Sequence, residues 1–196
     1  MKQVIIRSIL LNALGIPLFG IYLIINQRTG IDHRIVEMPE WVPFWPIMTI
    51  PYILMLIVPW IGATLLKENG NFYQYLVSVL LSFLVISSIW YFHPTEMTRP
   101  VTPGGAISQI HQILIAHDNP VCIVPCGHVM GPIAITCLLG LERPRWLLWM
   151  LPLLGIGTIS IATTWQHRPF DIVAGAIISL TAVLLTRKLF MRFEQG

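Results

Sequence analysis

The chain is predicted to be an all-α, polytopic membrane protein: a six-transmembrane-helix bundle with an interfacial helix in the long extracytoplasmic loop between spans 3 and 4. Three observations predict it. Of the 196 residues 55% are hydrophobic and only 11% charged, with a mean hydropathy of +0.73, which is not the balance of a soluble domain. Six stretches, 4–25, 44–66, 72–92, 122–141, 146–164 and 170–187, approach the ~20 apolar residues that a span needs. Lys and Arg are shared unevenly among the connections, and the positive-inside rule assigns the richer side to the cytoplasm. With both termini inside, that side holds Lys2, Arg7, Lys67, Arg143, Arg145, Arg187, Lys188 and Arg192, eight of the 12. The outer side keeps Arg28, Arg34, Arg99 and Arg168, with six of the nine acids. The expected setting is a multi-pass protein of a bacterial inner membrane, one domain over 1–196.

Each element has its own justification. The first apolar run carries Arg7 and lacks a small-residue cleavage site, so it is expected to be a retained helix rather than a signal peptide. Its Gly15, Pro17 and Gly20 allow a kink or a close helix approach. The outer loop that follows is acidic and ends in Trp41 and Trp45, residues of the membrane interface. The second span carries Pro46, Pro51 and Pro59, whose freed carbonyls neighbouring helices must satisfy. Lys67 to Gly70 makes a tight inner turn, and the third span ends at Trp90-Tyr91-Phe92.

Pro94, Pro100, Pro103, Gly104 and Gly105 force loops after that span. From Ala106 to His117 a short helix can form with Ile107, Ile110, Ile113 and Leu114 on one face, lying in the interface as a lid or lateral wall. His111 and His117 are expected to be interfacial polar residues, while Glu96 and Asp118 are candidates for holding an alcohol or a headgroup. Glu142-Arg143-Pro144-Arg145 is a cytoplasmic turn that fixes topology. The fifth span is rich in small residues for close packing, and Arg187-Lys188 flanks the last. Cys122 and Cys126, four apart, are expected on one helical face as free thiols, since that geometry directs the Cβ vectors poorly for a disulfide. Cys137 reads as packing.

The chemistry concentrates at two places. His167 and Asp171 stand four apart in TTWQHRPFDIVAG, where Pro169 suits a helix start. A carboxylate in that first turn can accept the imidazole Nδ1 proton and leave Nε2 as nucleophile or base. A chance pair at a helix end has the same spacing; the second place tips the balance. Pro125-Cys126-Gly127-His128 precedes another apolar run, and a helix opening there would cradle phosphate on its unpaired N–H groups. By the topology above, Arg99, His128, His167 and Asp171 all fall at outer span ends, at the depth of a lipid headgroup.

Three segments in order, FHPTEMTRP from Phe92 to Pro100, PCGH from Pro125 to His128 and QHRPFDIVAG from Gln166 to Gly175, make the chain resemble the type-2 phosphatidic acid phosphatase superfamily. Within it they resemble the branch of inositol-phosphoryl and phosphocholine transferases acting on ceramide. The resemblance covers roughly 92–175. It implies His167 as the nucleophile forming a phosphohistidine, Asp171 as its orienting partner, His128 as general acid, and Arg99 as a phosphate ligand. It implies phosphate contacts from Cys126, Gly127 and, as a substitute cation, Arg168. Phe92 stands where the family's motif has lysine, Cys126 where it usually has serine, and Ile161 where it usually has arginine.

The implied activity is hydrolysis of a lipid phosphate or diphosphate. The alternatives are headgroup transfer to an alcohol at the same site, as in sphingomyelin or inositol-phosphorylceramide synthases, and a degenerate lipid-binding homologue. No metal and no cofactor is expected. A metal or haem protein liganded by His128 and His167 explains the i+4 aspartate less well, and a transporter would place polar residues at the midplane of an internal repeat. The expected partners are a lipid phosphate and membrane lipids. Nucleic acid is excluded because the net charge of +3 belongs to the topology flanks, and no residue pattern specifies an oligomer.

Overall fold

The computed structural model of the chain describes residues 2–116 and 118–195, with side chains as far as Arg192. His117, expected at the interface, lies outside the described residues. Among those described, the fold is all-helical apart from one pair of three-residue strands. Its helices are α1 (Lys2–Asn26), α2 (Thr49–Leu65), α3 (Asn69–Phe92), α4 (Ala106–Ile115), α5 (Met130–Glu142), α6 (Leu147–Thr163) and α7 (Pro169–Gln195). Short 3-10 turns at Pro46–Met48 and Pro144–Trp146 lead into α2 and α6. Five helical segments are long and apolar enough to cross a membrane: Lys2–Asn26, Pro46–Leu65, Asn69–Phe92, Pro144–Thr163 and Pro169–Arg192.

The sixth expected span is different. Residues 122–141 are helical only from Met130, and α5 has 13 residues, about 20 Å of rise against a hydrocarbon core of about 30 Å. It is nevertheless the central helix. It packs against α2, α3, α6 and α7, and Pro132 to Thr136, Leu138, Leu139 and Gly140 are all buried, the pattern of a helix apolar all round. Irregular backbone ahead of it is sheltered inside protein, where its polar groups find partners.

Those partners explain why the helix starts late. The Cys126 N–H donates to the Asp171 carbonyl at 2.9 Å, and the Trp90 indole donates to the Pro125 carbonyl at 2.9 Å. The N–H groups of Ile123 and Val124 both donate to Thr95 Oγ1, at 3.2 and 3.1 Å. Val124-Pro125 is a cis peptide. The expected placement of Cys122 and Cys126 on one helical face is thereby corrected, since neither is helical; both are buried free thiols.

Strands β1 (Arg34–Val36) and β2 (Thr95–Met97) pair in parallel, and Glu96 also bridges to Val121. The purely helical expectation omitted this. The pairing ties the loop after α1 to the loop after α3, and so fixes Thr95 beneath the 121–129 turn.

The prolines of α2 are less disruptive than their number suggests. Pro46 opens the 3-10 turn and Pro51 lies in the first turn of α2, where a missing N–H costs nothing; Pro59 alone is well inside. The two ends of the bundle differ in chemistry. At one end the buried Arg7 donates to the carbonyls of Thr64, Leu66 and Lys67 as α2 ends, and Glu142 accepts from the N–H groups of Lys67 and Glu68. At the other end Asn26 meets Asp118 and Asn119, and the 121–129 turn meets the start of α7.

Helix α4 forms over Ala106–Ile115 with two of its polar residues inward and two of its isoleucines outward. Ser108 and His111 are buried, His111 Nδ1 lies 3.1 Å from Thr49 Oγ1, and Ile110 and Ile113 are exposed. His111, expected as an interfacial polar residue, is a buried tertiary bridge between α4 and α2.

Candidate functional site

Two turns build the site. One, 121–129, precedes α5; the other, 164–168, joins α6 to α7. They bring residues 39 apart in sequence into direct contact: His167 Nε2 lies 2.9 Å from His128 Nδ1, with ring centroids 4.9 Å apart.

The tautomers follow from the ends of the chain of bonds. His167 Nδ1 is 2.6 Å from the Ile123 carbonyl oxygen, which can only accept, so Nδ1 carries the proton and Nε2 presents a lone pair. His128 must then donate from Nδ1 to His167 Nε2. Its own Nε2 becomes an acceptor, and the Tyr52 hydroxyl, 2.7 Å away, donates to it. Tyr52 to His128 to His167 to Ile123 is one directed relay of neutral rings.

Both histidines lie on turns outside the helices, and burial pushes each below the ordinary imidazole range, His167 to about 4. Next in effect, the Ile123 carbonyl acts against burial at His167 and the neighbouring His167 ring reinforces it at His128. The nearby Arg99 guanidinium also lowers both.

Asp171 is not the partner of His167. Its carboxylate accepts from the Arg168 backbone N–H at 2.9 Å and from Arg168 Nε and Nη2 at 3.0 and 2.8 Å. Arg168 is the residue before Pro169, so a third-position acid reaching back to that N–H is the returning half of a capping box. The helix start consumes the carboxylate one residue short of the imidazole. The same fork engages the Arg168 guanidinium, the expected substitute phosphate cation, in an ion pair at the start of α7. Asp171 supports the site indirectly, through its carbonyl bond to the Cys126 N–H.

Arg99 reaches the neighbourhood but is also engaged. It is ion-paired to Asp118 at 2.6 Å, and Nη2 lies 3.5 Å from Gln166 Oε1. Asp118 in turn accepts from the Tyr22 hydroxyl and from Asn26. Glu96, the other acidic candidate, sits on β2 beside His33, 3.8 Å away.

A cavity of about 660 Å³ runs between α1, α2, α3 and α5. One end is polar, with Tyr22, Tyr52, Asp118, His128 and Gln166; the remainder is apolar, with Leu11, Leu14, Leu18, Trp60 and Phe83 among its walls. From Tyr22 to Leu11 the wall extends about 16 Å along α1. Gly127 lines the polar end, and a Cβ there would come 2.7 Å from the Trp90 ring. Cys126 does not line it: the residue is fully buried behind His128, its Sγ 3.9 Å from Nδ1. Direct phosphate contact by Cys126 is therefore corrected. So is a phosphate cradle on a helix mouth at Gly127, because the helix begins three residues later.

Four contributors carry no local sequence signal of their role: Tyr52, Thr95, the Ile123 carbonyl and Gln166. Gln166 is 97% buried and its Nε2 has no partner. Arg99 can only donate, so Oε1 faces Arg99 and the unpartnered amide N–H₂ is left at the cavity wall. Removing the Tyr52 hydroxyl should be costly, since His128 Nε2 would be buried without a donor. Tyr52→Phe is expected to lower stability by about 1–3 kcal/mol, the cost of one buried unpartnered group, read as a lower Tm with unchanged helix content by circular dichroism.

Comparison with family models, with curated proteins and with solved structures finds no significant match to this chain. The functional reading therefore rests on the site and on the motifs quoted above.

Proposed function

We propose that the chain is an integral-membrane lipid phosphatase that works through a phosphohistidine on His167, as in the superfamily it resembles. The single observation that carries the reading is the oriented pair of imidazoles: His128 lines the polar end of a long apolar cavity, and His167, with its Nε2 lone pair fixed, lies directly behind it. A lipid phosphate has that same division: an anionic head for the histidines and a chain for the groove.

In this reading the substrate phosphate parts the two rings, whose 2.9 Å nitrogen separation has no room for phosphorus. His167 Nε2 attacks the phosphoryl group while its Nδ1–H stays on the Ile123 carbonyl, which takes the orienting role that Asp171 does not fill. The phosphate charge draws a proton onto His128. That imidazolium protonates the departing alkoxide, and the resulting neutral ring takes a proton from water, which attacks the phosphohistidine. Arg99 exchanges Asp118 for a phosphate oxygen, and the Gln166 amide donates to another. An alcohol replacing water would give headgroup transfer.

The membrane placement is part of the proposal. The five long helices and the α5 segment make six crossings, with both termini cytoplasmic in a bacterial inner membrane and the two turns extracytoplasmic. Helix α4 lies in the interface with Ile110 and Ile113 toward lipid.

The test is phosphate release and headgroup exchange on a panel of labelled lipid phosphates and diphosphates. Saturable release supports the hydrolase, exchange into an alcohol supports the transferase, and inertness across the panel defeats both. On an active substrate Gln166→Ala is expected to lower kcat roughly 10²-fold with little change in KM, the signature of a donor used in the transition state.

A further inference from the structure

We propose that Cys126, His128 and His167 together form a transition-metal site, with zinc as the ion that suits the donor set. Their ligand atoms all lie within 4.8 Å of one another. Cys126 Sγ is 3.9 Å from His128 Nδ1, and that nitrogen is 2.9 Å from His167 Nε2. Ligands at about 2.0–2.3 Å from a tetrahedral zinc stand roughly 3.3–3.6 Å from each other. Reaching that geometry opens the nitrogen pair by a few tenths of an ångström and draws the widest pair of ligand atoms, which the cluster holds within 4.8 Å, in by about 1 Å.

The surroundings are those of a metal site as well. A ligating imidazole needs its far nitrogen occupied, which fixes the tautomer and the ring plane. His167 Nδ1 is held by the Ile123 carbonyl, and His128 Nε2 by the Tyr52 oxygen, which accepts as readily as it donates. Both near nitrogens consequently face each other across 2.9 Å, beside the Cys126 sulfur. Asp171 offers no competing ligand, because Arg168 occupies it.

Loading balances as follows. The Cys126 thiol loses its proton to solvent; the His128 proton moves from Nδ1 to Nε2, where it donates to the Tyr52 oxygen. One proton leaves for each ion bound, and a zinc ion with one thiolate leaves the site a net +1. Three protein ligands leave a fourth position open, on a site reached from the cavity that His128 lines. Sulfur is what distinguishes this cluster, since a serine at 126 would supply no soft donor. The ion takes the same His167 Nε2 lone pair that attacks phosphorus in the reaction proposed above, so a zinc-loaded chain would not form the phosphohistidine. The metal site itself does not depend on that reaction.

The experiment is a cobalt titration of the full chain in detergent after chelator treatment, followed by optical absorption. One Co²⁺ per chain is expected, with a thiolate-to-cobalt charge-transfer band and the intense d–d bands of four-coordination, both bleached by one equivalent of Zn²⁺. Cys126→Ser should lose the thiolate band, and Cys122→Ser, outside the cluster, should keep it. Absence of a saturable thiolate band in the unaltered chain overturns the proposal. So does a band that survives Cys126→Ser. Neither outcome bears on lipid phosphate release, which is scored separately.

Discussion

Alanine at His167 is expected to abolish phosphate release from any lipid phosphate the chain accepts, by on the order of 10⁴-fold or more, because the proposed nucleophile cannot be replaced by its neighbours. His128→Ala should behave differently. In the proposed mechanism its role is proton transfer to the leaving oxygen, a contribution of roughly 10²–10⁴-fold, and it should shrink on a diphosphate, whose leaving phosphate needs protonation less than an alkoxide does. Loss at His167 should be insensitive to the leaving group. A second readout is chemical: label from the substrate should become trapped on the protein in an acid-labile, base-stable linkage, in the unaltered chain and not in His167→Ala. Buried bonds are lost in both variants, to the Ile123 carbonyl in one and to Tyr52 in the other. A stability cost of about 1–3 kcal/mol is expected for each, so release must be normalised to folded protein. If His167→Ala still releases phosphate at the normal rate, the histidine relay is structural and the enzyme reading fails.

The sequence made some of this legible because some of it is compositional. Long apolar runs bounded by prolines, glycines and charges specified the five long helices to within a few residues, except that α7 runs on to Gln195 from the expected end at 187, since a span is a property of one segment. The approach of His128 and His167 was readable from topology, because both turns fall at the same end of alternating spans. What failed was detail that depends on competition between partners. Spacing four apart brings a carboxylate near an imidazole, but it cannot say that the N–H of Arg168 will claim Asp171 first. PCGH looks like a helix opening; bonds from Trp90, Thr95 and Asp171, each far away in sequence, hold it in a turn instead. Arg99 was placed near the phosphate site, and its pairing with Asp118 was invisible because a loop of uncertain path separates them. Tyr52 sits in a proline-rich span with no motif around it, and the β1–β2 pairing joins three-residue runs too short to register as strands.

Gly175→Ala is the other change with a large expected effect, and two opposing forces decide it. Alanine is the better helix former by about 1 kcal/mol, and at an open position of α7 the substitution would stabilise. Gly175, however, lies one turn below Asp171 on the face that meets the 121–129 turn. A Cβ there would drive into the Cys126 carbonyl oxygen and come 3.1 Å from Val129 Cγ2. The obstacle is backbone, already tied to α7 by the Cys126 N–H bond to the Asp171 carbonyl, so it cannot swing aside as a flexible side chain would. Overpacking of this kind costs about 1–3 kcal/mol or more and outweighs the propensity gain. The net result expected is a fall of several degrees in Tm together with roughly 10²-fold lower activity, because the displaced turn carries His128 and a shift of about 1 Å in a reacting group has that effect. Gly20→Ala is the control: nothing lies within 4 Å of its Cβ position in α1, so stability should hold or rise with activity intact. Equal behaviour of the two alanine variants would mean that α7 does not press on the turn as described, and the positioning of His128 against His167 would need another cause.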